Sequence, residues 1–303
     1  MPVPVVARNT LEELAMNKAR AAPLAGELIR AGSAGTLDPQ DLEQLRQAVQ
    51  RLEYPSFGAR VANMVGAPVE KLIGFLPRRA NAVINFAARK AIGAALRVSL
   101  TTMDTRAKPE GARRSSDWWH LGATAATGAV GGAFGLTALA VELPLTTTIM
   151  LRSIADIARS EGADLTDPAV RLDCVRVLAM GGNAPDDDAA EVGYYAAREA
   201  MSRMVSDAAT HVARHGLQKD GAPVLVGLVK AIAERYSIQV SEKAAAQWMP
   251  VLGAVGGATV NSIFMDHFQS MARGHFIVRR LEALHGQETV RTAYQAIAAL
   301  LAD

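Results

Sequence analysis

The chain has 303 residues, half of them hydrophobic but only 5% aromatic, which is enough material for one large core or two ordinary ones. Its 32 basic and 30 acidic side chains nearly cancel, and without a helix-turn-helix or finger spacing they leave no electrostatic footprint for nucleic acid. The single cysteine, Cys174, excludes an internal disulfide framework, suits a reducing compartment and falls in the apolar pattern of a helix, where it reads as a core thiol.

The opening MPVPVVARNTLEEL lacks a basic segment followed by a sustained apolar one and a cleavage site, so no signal peptide is expected. The expected location is cytoplasmic, free or peripheral at the inner face of the cell membrane. Asn9 or Thr10 caps a first predicted helix that runs to about Arg30. After GSAGTLDPQ, Pro39 and the acids behind it start a second, through about Leu52. Pro55, Gly66, Pro68 and Pro77 then punctuate short helical pieces. A longer helix is expected over Arg79–Thr102, with Val83, Ile84, Phe86, Ala87, Ile92 and Leu96 on a broad apolar face.

Residues 103–117 mix charge, Pro, Gly and Ser without apolar periodicity and read as an exposed loop inside a single domain spanning 1–303. Trp118 and Trp119 follow; they either bury against the helical core or anchor the protein at a membrane interface, where an indole is favoured. The run beyond them opens with GAVGGA at 128–133 and becomes an amphipathic helix ending at Gly162; Pro144 should kink it just past Glu142. Arg152 and Asp156, four apart, make an expected intrahelical ion pair. Thr166 caps the next helix, with Pro168 early in it, and that helix ends at Gly181-Gly182. The acidic NAPDDDAAE fits a helix N-terminus and does not match a calcium loop, so no metal is assigned there. Its helix runs to His215-Gly216. Another starts near Pro223 and stops around Tyr236; SIQV reads as an extended link, and Ser241 caps a helix leading to Pro250. A second GAVGGA, at 253–258, opens a long helix that closes at Gly286, and a short helix ends the chain. No stretch alternates convincingly as a strand, and the expected fold is all-α: one helical bundle-like domain with the two glycine-rich helices packed together.

Glycine in a helix interior costs about 1 kcal/mol relative to alanine, so its concentration needs a packing reason. Gly128, Gly132 and Gly135 share one side of the first helix, and Gly253 and Gly257 make the matching pair in the second, so another backbone can approach closely at each. Fourteen residues after the first glycine of each copy stand Glu142 and His267, ~40° off the glycine stripe. Asn261 lies near the same stripe and Asp266 beside His267. Equal offsets predict that Glu142 and His267 meet at the helix–helix interface. Such a cluster can be a structural network, a polar binding centre or an acid–base pair.

Three stretches carry a resemblance to the EcsC protein family: LEYPSFGARVANMVGAPVEKLIGFLP at 52–77, ELPLTTTIMLRSIADIARSEGADLTDP at 142–168 and IQVSEKAAAQWMPVLGAVGGATVNSIFMDHF at 238–268. The resemblance implies a helical bacterial protein without a defined activity. The family's namesake is encoded beside an ABC transporter that affects secretion, which implies a membrane setting. Where the family's pattern has Asp before leucine–proline, this chain has Glu142. The leading expectation is a non-enzymatic protein that binds a membrane lipid or a helical segment of a membrane-protein complex, with no nucleic-acid partner and no assigned cofactor. A hydrolase or metal-dependent enzyme using Glu142, Asp266 and His267 is one alternative, although no HExxH or GxSxG motif supports it. A pore-type protein inserted through the two apolar runs is the other.

Overall fold

A computed structural model describes residues 37–53, 57–66, 69–74, 76–77, 79–103, 136–180, 193–216, 222–247 and 253–302. The predicted first helix, the loop 103–117 beyond Met103, Trp118, Trp119, Gly128, Gly132, Gly135, Gly181-Gly182 and NAPDDDAAE lie outside these residues. Among the described residues every regular element is helical and there is no strand. They are α1 (Pro39–Glu53), α2 (Phe57–Val65), α3 (Val69–Gly74), α4 (Ala80–Thr101), α5 (Leu136–Ser160), α6 (Pro168–Arg176) with a 3-10 turn at Val177–Ala179, α7 (Gly193–His215), α8 (Pro223–Gln247), α9 (Gly253–His285) and α10 (Gln287–Ala302).

The helix ends follow local chemistry. Asp38 starts α1 by accepting the N–H groups of Gln40 and Asp41 at 2.9 and 2.8 Å, with Pro39 in the first turn where its missing donor is harmless. Before α6 the cap is Asp167, which accepts the Ala169 N–H, and not Thr166, whose hydroxyl donates to Asp164 instead. Both residues are good caps; Thr166 is drawn into the turn that precedes the helix. At the end of α5, Gly162 takes φ +84°, and the Ala163 N–H closes onto the Ala158 carbonyl at 2.9 Å. A Cβ at Gly162 would have nothing within 4 Å, so Gly162→Ala should cost only the left-handed backbone penalty, about 1–2 kcal/mol, in urea unfolding. A larger loss would mean that the glycine also serves packing.

The chain divides into two compact units. One comprises 52–273. In it α4 packs against α5, and α8 packs against both α4 and α7. Alanines make the α4 contact close: Ala80, Ala87, Ala88, Ala91 and Ala95 are buried together with Ile84, Ile92 and Leu96. Two of the apolar residues expected on that face behave differently, since Phe86 is 61% exposed and Val83 only half-buried. The expected Arg152–Asp156 pair also gives way: Asp156 accepts from Arg159 at 2.8 Å, while Arg152 is exposed. The helix runs on through Pro144, where the Thr148 hydroxyl bonds the Pro144 carbonyl.

The largest departure from the sequence reading is α8. No break occurs at Tyr236 and no extended link at SIQV; one helix runs from Pro223 to Gln247. Ser237, Ile238, Gln239 and Val240 include no Gly or Pro, and burying Tyr236, Gln239 and Val240 on one face outweighs the modest helix propensity of the β-branched pair.

The other unit comprises the chain up to Arg51 and from Gly274 on. Its described part has α1, the last turns of α9 and α10. Leu42, Leu45, Val49, Phe276, Leu281, Val290, Tyr294 and Ile297 are buried there. Asp41 of α1 meets His285 of α9 at 2.6 Å, and Arg280 donates to Gln44. Gly286, at φ +87°, ends α9 where the sequence reading placed the stop.

Candidate functional site

The polar centre forms around Glu142 on α5. This residue lies nearly two turns into the helix, where Val141 and Leu145 face outward and Leu143, Thr146 and Thr147 inward, with Glu142 itself only 8% exposed. Three donors converge on one oxygen, Oε1: Lys243 Nζ of α8 at 2.7 Å, Asn261 Nδ2 of α9 at 3.0 Å and Thr146 Oγ1 at 3.3 Å. Lys243 is fully buried, and its ammonium also lies 4.9 Å from the centre of the Phe264 ring. Beside this cluster Thr147 and Tyr236 share a hydrogen bond of 2.8 Å.

The electrostatics favour an ion pair. Burial by itself pushes the Glu142 carboxyl up, but the charge of Lys243 and the hydrogen bonds from Lys243, Asn261 and Thr146 outweigh it and hold the group below its ordinary value. The Tyr236 hydroxyl is pushed up chiefly by burial; the Thr147 bond opposes this and the Glu142 charge adds to it. Burial also raises the Cys174 thiol, which keeps it protonated and inert.

Of the expected site residues, Glu142 and Asn261 come together; His267 and Asp266 do not join them. His267 is buried on α9 against the rings of Phe57 and Phe268, at 5.8 and 5.1 Å between centres. Asp266, a hundred-degree step away on the helix, has a half-exposed side chain and pairs with Arg60 of α2. The predicted Glu142–His267 contact fails because the two hexapeptide helices do not pack in the register of the repeat. Glu142 meets Asn261, six residues or about 9 Å before the repeat-equivalent His267. The helices do touch and run the same way, since Ser153 of α5 accepts from Gln269 of α9 farther along. Gly253 and Gly257 lie in the first turns of α9, with Gly257 buried.

Lys243 is the residue that the sequence reading missed. A helical wheel carried unbroken through 223–247 sets it on the face of Ile232, Tyr236, Gln239 and Val240, all buried. A lysine there has to find an acid.

The ordered set of helices, with an acid two places before a proline in α5 and the buried face of α8 leading into the second glycine-rich helix, agrees with a family match. The EcsC protein family model matches residues 29–281. The chain belongs to the EcsC protein family. No curated protein and no solved structure matches it. The EcsC match spans the whole polar centre, from Glu142 to Asn261, together with α4. It carries no defined activity. Among the described residues no group of three or more His, Cys, Asp or Glu side chains gathers as a metal site. No described helix is long and apolar enough to cross a membrane.

Proposed function

We propose that this EcsC protein is a non-enzymatic component of the membrane surface, attached at the inner face of the cell membrane as a peripheral protein. The observation that carries the reading is apolar exposure on the paired helices α4 and α5. Phe86 of α4 is 61% exposed, and Val141 and Leu145 of α5, one helical turn apart, are 73% and 53% exposed. Single exposed apolar residues are ordinary, but three large ones on two helices that pack together favour a surface meant to be covered. Since no described helix can cross a bilayer, covering from the side suits a peripheral attachment.

The hydrolase alternative needs an acid–base pair of Glu142 with His267. The donors to Glu142 are instead Lys243, Asn261 and Thr146, an arrangement that supports a structural ion pair. Fractionation of cells expressing the full chain tests the proposal. The protein should sediment with membranes at low salt and leave them on washing with 1 M salt, because the Debye length then shrinks to about 3 Å and the attraction of exposed Arg and Lys side chains for lipid phosphates, which supplements the apolar contact, is screened. A chain found wholly in the supernatant at low salt would sink the reading, and one retained after high salt and alkaline carbonate would replace it with insertion.

A further inference from the structure

We infer that the outward face of α4 is a docking face for an anionic lipid bilayer, an inference that rests on the peripheral reading above and names its partner. The face is defined by Arg79, just before the helix, and by Phe86, Arg89, Lys90 and Arg97, all exposed. On a helical wheel Arg79, Lys90 and Arg97 fall within about 40° of Phe86, and Arg89 within about 60° on its other side. From Arg79 to Arg97 the stripe is about 27 Å long at 1.5 Å per residue.

Two features separate it from an ordinary solvated face. The first is charge. Ala80–Thr101 contains no acid, and among the described residues none of the four cationic side chains makes a hydrogen bond or ion pair. Most helices of this chain intersperse the two signs: Glu43 pairs with Arg46, Asp156 with Arg159 and Lys230 with Glu234. On α4 no described acid supplies that compensation, in a protein whose formal net charge is only +2. The second is Phe86, a large ring left in water at the middle of the row.

Together they match what holds a helix in the plane of an interface: an apolar side chain that enters the headgroup boundary, flanked by cations that meet lipid phosphates. The opposite face of α4 is buried against α5 and α8, so the helix cannot roll, and only this stripe is presented. A nucleic acid would also attract the cations. A straight row of four with an apolar ring at its centre suits a flat anionic sheet better than a grooved helix.

The test is co-sedimentation of the full chain with vesicles of phosphatidylcholine alone and of phosphatidylcholine with one-third phosphatidylglycerol. The chain should bind the anionic vesicles and not the neutral ones. Each stripe cation should contribute roughly fivefold to partitioning, so Arg89→Gln/Lys90→Gln/Arg97→Gln should lose about two orders of magnitude. Phe86→Ala should lose about tenfold. A control with as many charges removed elsewhere, Arg203→Gln/Arg214→Gln/Lys230→Gln, should bind nearly as well as the parent, with helical content checked by circular dichroism for every variant. Equal binding to both vesicle types, or equal losses in the stripe and control variants, would overturn the inference while leaving the peripheral reading in place. So would binding of a duplex oligonucleotide in place of the vesicles. A chain that also fails to sediment with host membranes at low salt takes the peripheral reading down with it.

Discussion

Lys243→Met should be among the most damaging single substitutions in the chain, lowering stability by about 3–5 kcal/mol in urea unfolding. The change keeps the aliphatic volume and removes only the ammonium. What it leaves is the Glu142 carboxylate, 8% exposed and held by the amide of Asn261 and the hydroxyl of Thr146 without a counter-charge. Replacing both partners, as in Glu142→Leu/Lys243→Met, should cost less than the sum of the single changes, because neither charge is then stranded. Additive losses would mean that the pair is not coupled, and the assignment of Lys243 as the partner of Glu142 would be withdrawn.

The pH dependence gives that prediction a sign. In the parent protein the Glu142 carboxyl is held below its ordinary value, so its contribution is fully present above the unfolded-state pKa of about 4.3 and is lost as pH falls through the lower folded value. In Lys243→Met burial is opposed only by the hydrogen bonds from Asn261 and Thr146, and it raises the folded value above the unfolded one. A group shifted that way favours the native state at low pH and loses that contribution as pH rises. The deficit of the variant relative to the parent should therefore be greatest near pH 7 and shrink as pH approaches 4. A deficit that stays constant over this range would show that the carboxyl does not feel the lysine.

How far these elements can be read from the residues depends on how local their causes are. The start of α1 at Pro39 and the stops at Gly162, Gly216 and Gly286 are visible because each is set by one residue with one backbone preference; all three glycines take positive φ. The continuity of α8 is not local. Ser237–Val240 favours neither helix nor strand strongly, and the decision comes from the face carrying Tyr236, Gln239 and Val240, which the rest of the unit buries. Reading a break there also hid Lys243, since a lysine placed just after a supposed cap has no reason to look inward. Glu142 and Asn261 were recognisable from their place beside the glycine stripes. The choice between Asn261 and His267 as the contact was not, because a sequence repeat fixes the pattern along each helix and says nothing about the axial offset at which two helices pack. His267 packs instead against the rings of Phe57 and Phe268.

Those rings carry the other large effect. Phe264 is fully buried and lies edge-on to Phe57 and Phe268, with ring centres at 5.0 and 5.1 Å, while Tyr236 sits at 6.0 Å. Three helices, α2, α8 and α9, thus meet on one side chain. Phe264→Ala should cost about 3–5 kcal/mol, of which only part is lost apolar burial, the rest being the cavity that Phe57, Phe268 and Tyr236 cannot close together. It should also couple to Lys243, whose ammonium faces the same ring. A double-mutant cycle of Phe264→Leu with Lys243→Met isolates that contact, since leucine fills most of the space but has no ring face. A coupling of about 0.5–2 kcal/mol is expected for a desolvated cation over an aromatic ring. Zero coupling would place the ammonium's stabilisation wholly with Glu142, and a Phe264→Ala loss below about 1 kcal/mol would mean that the ring cluster does not join the three helices.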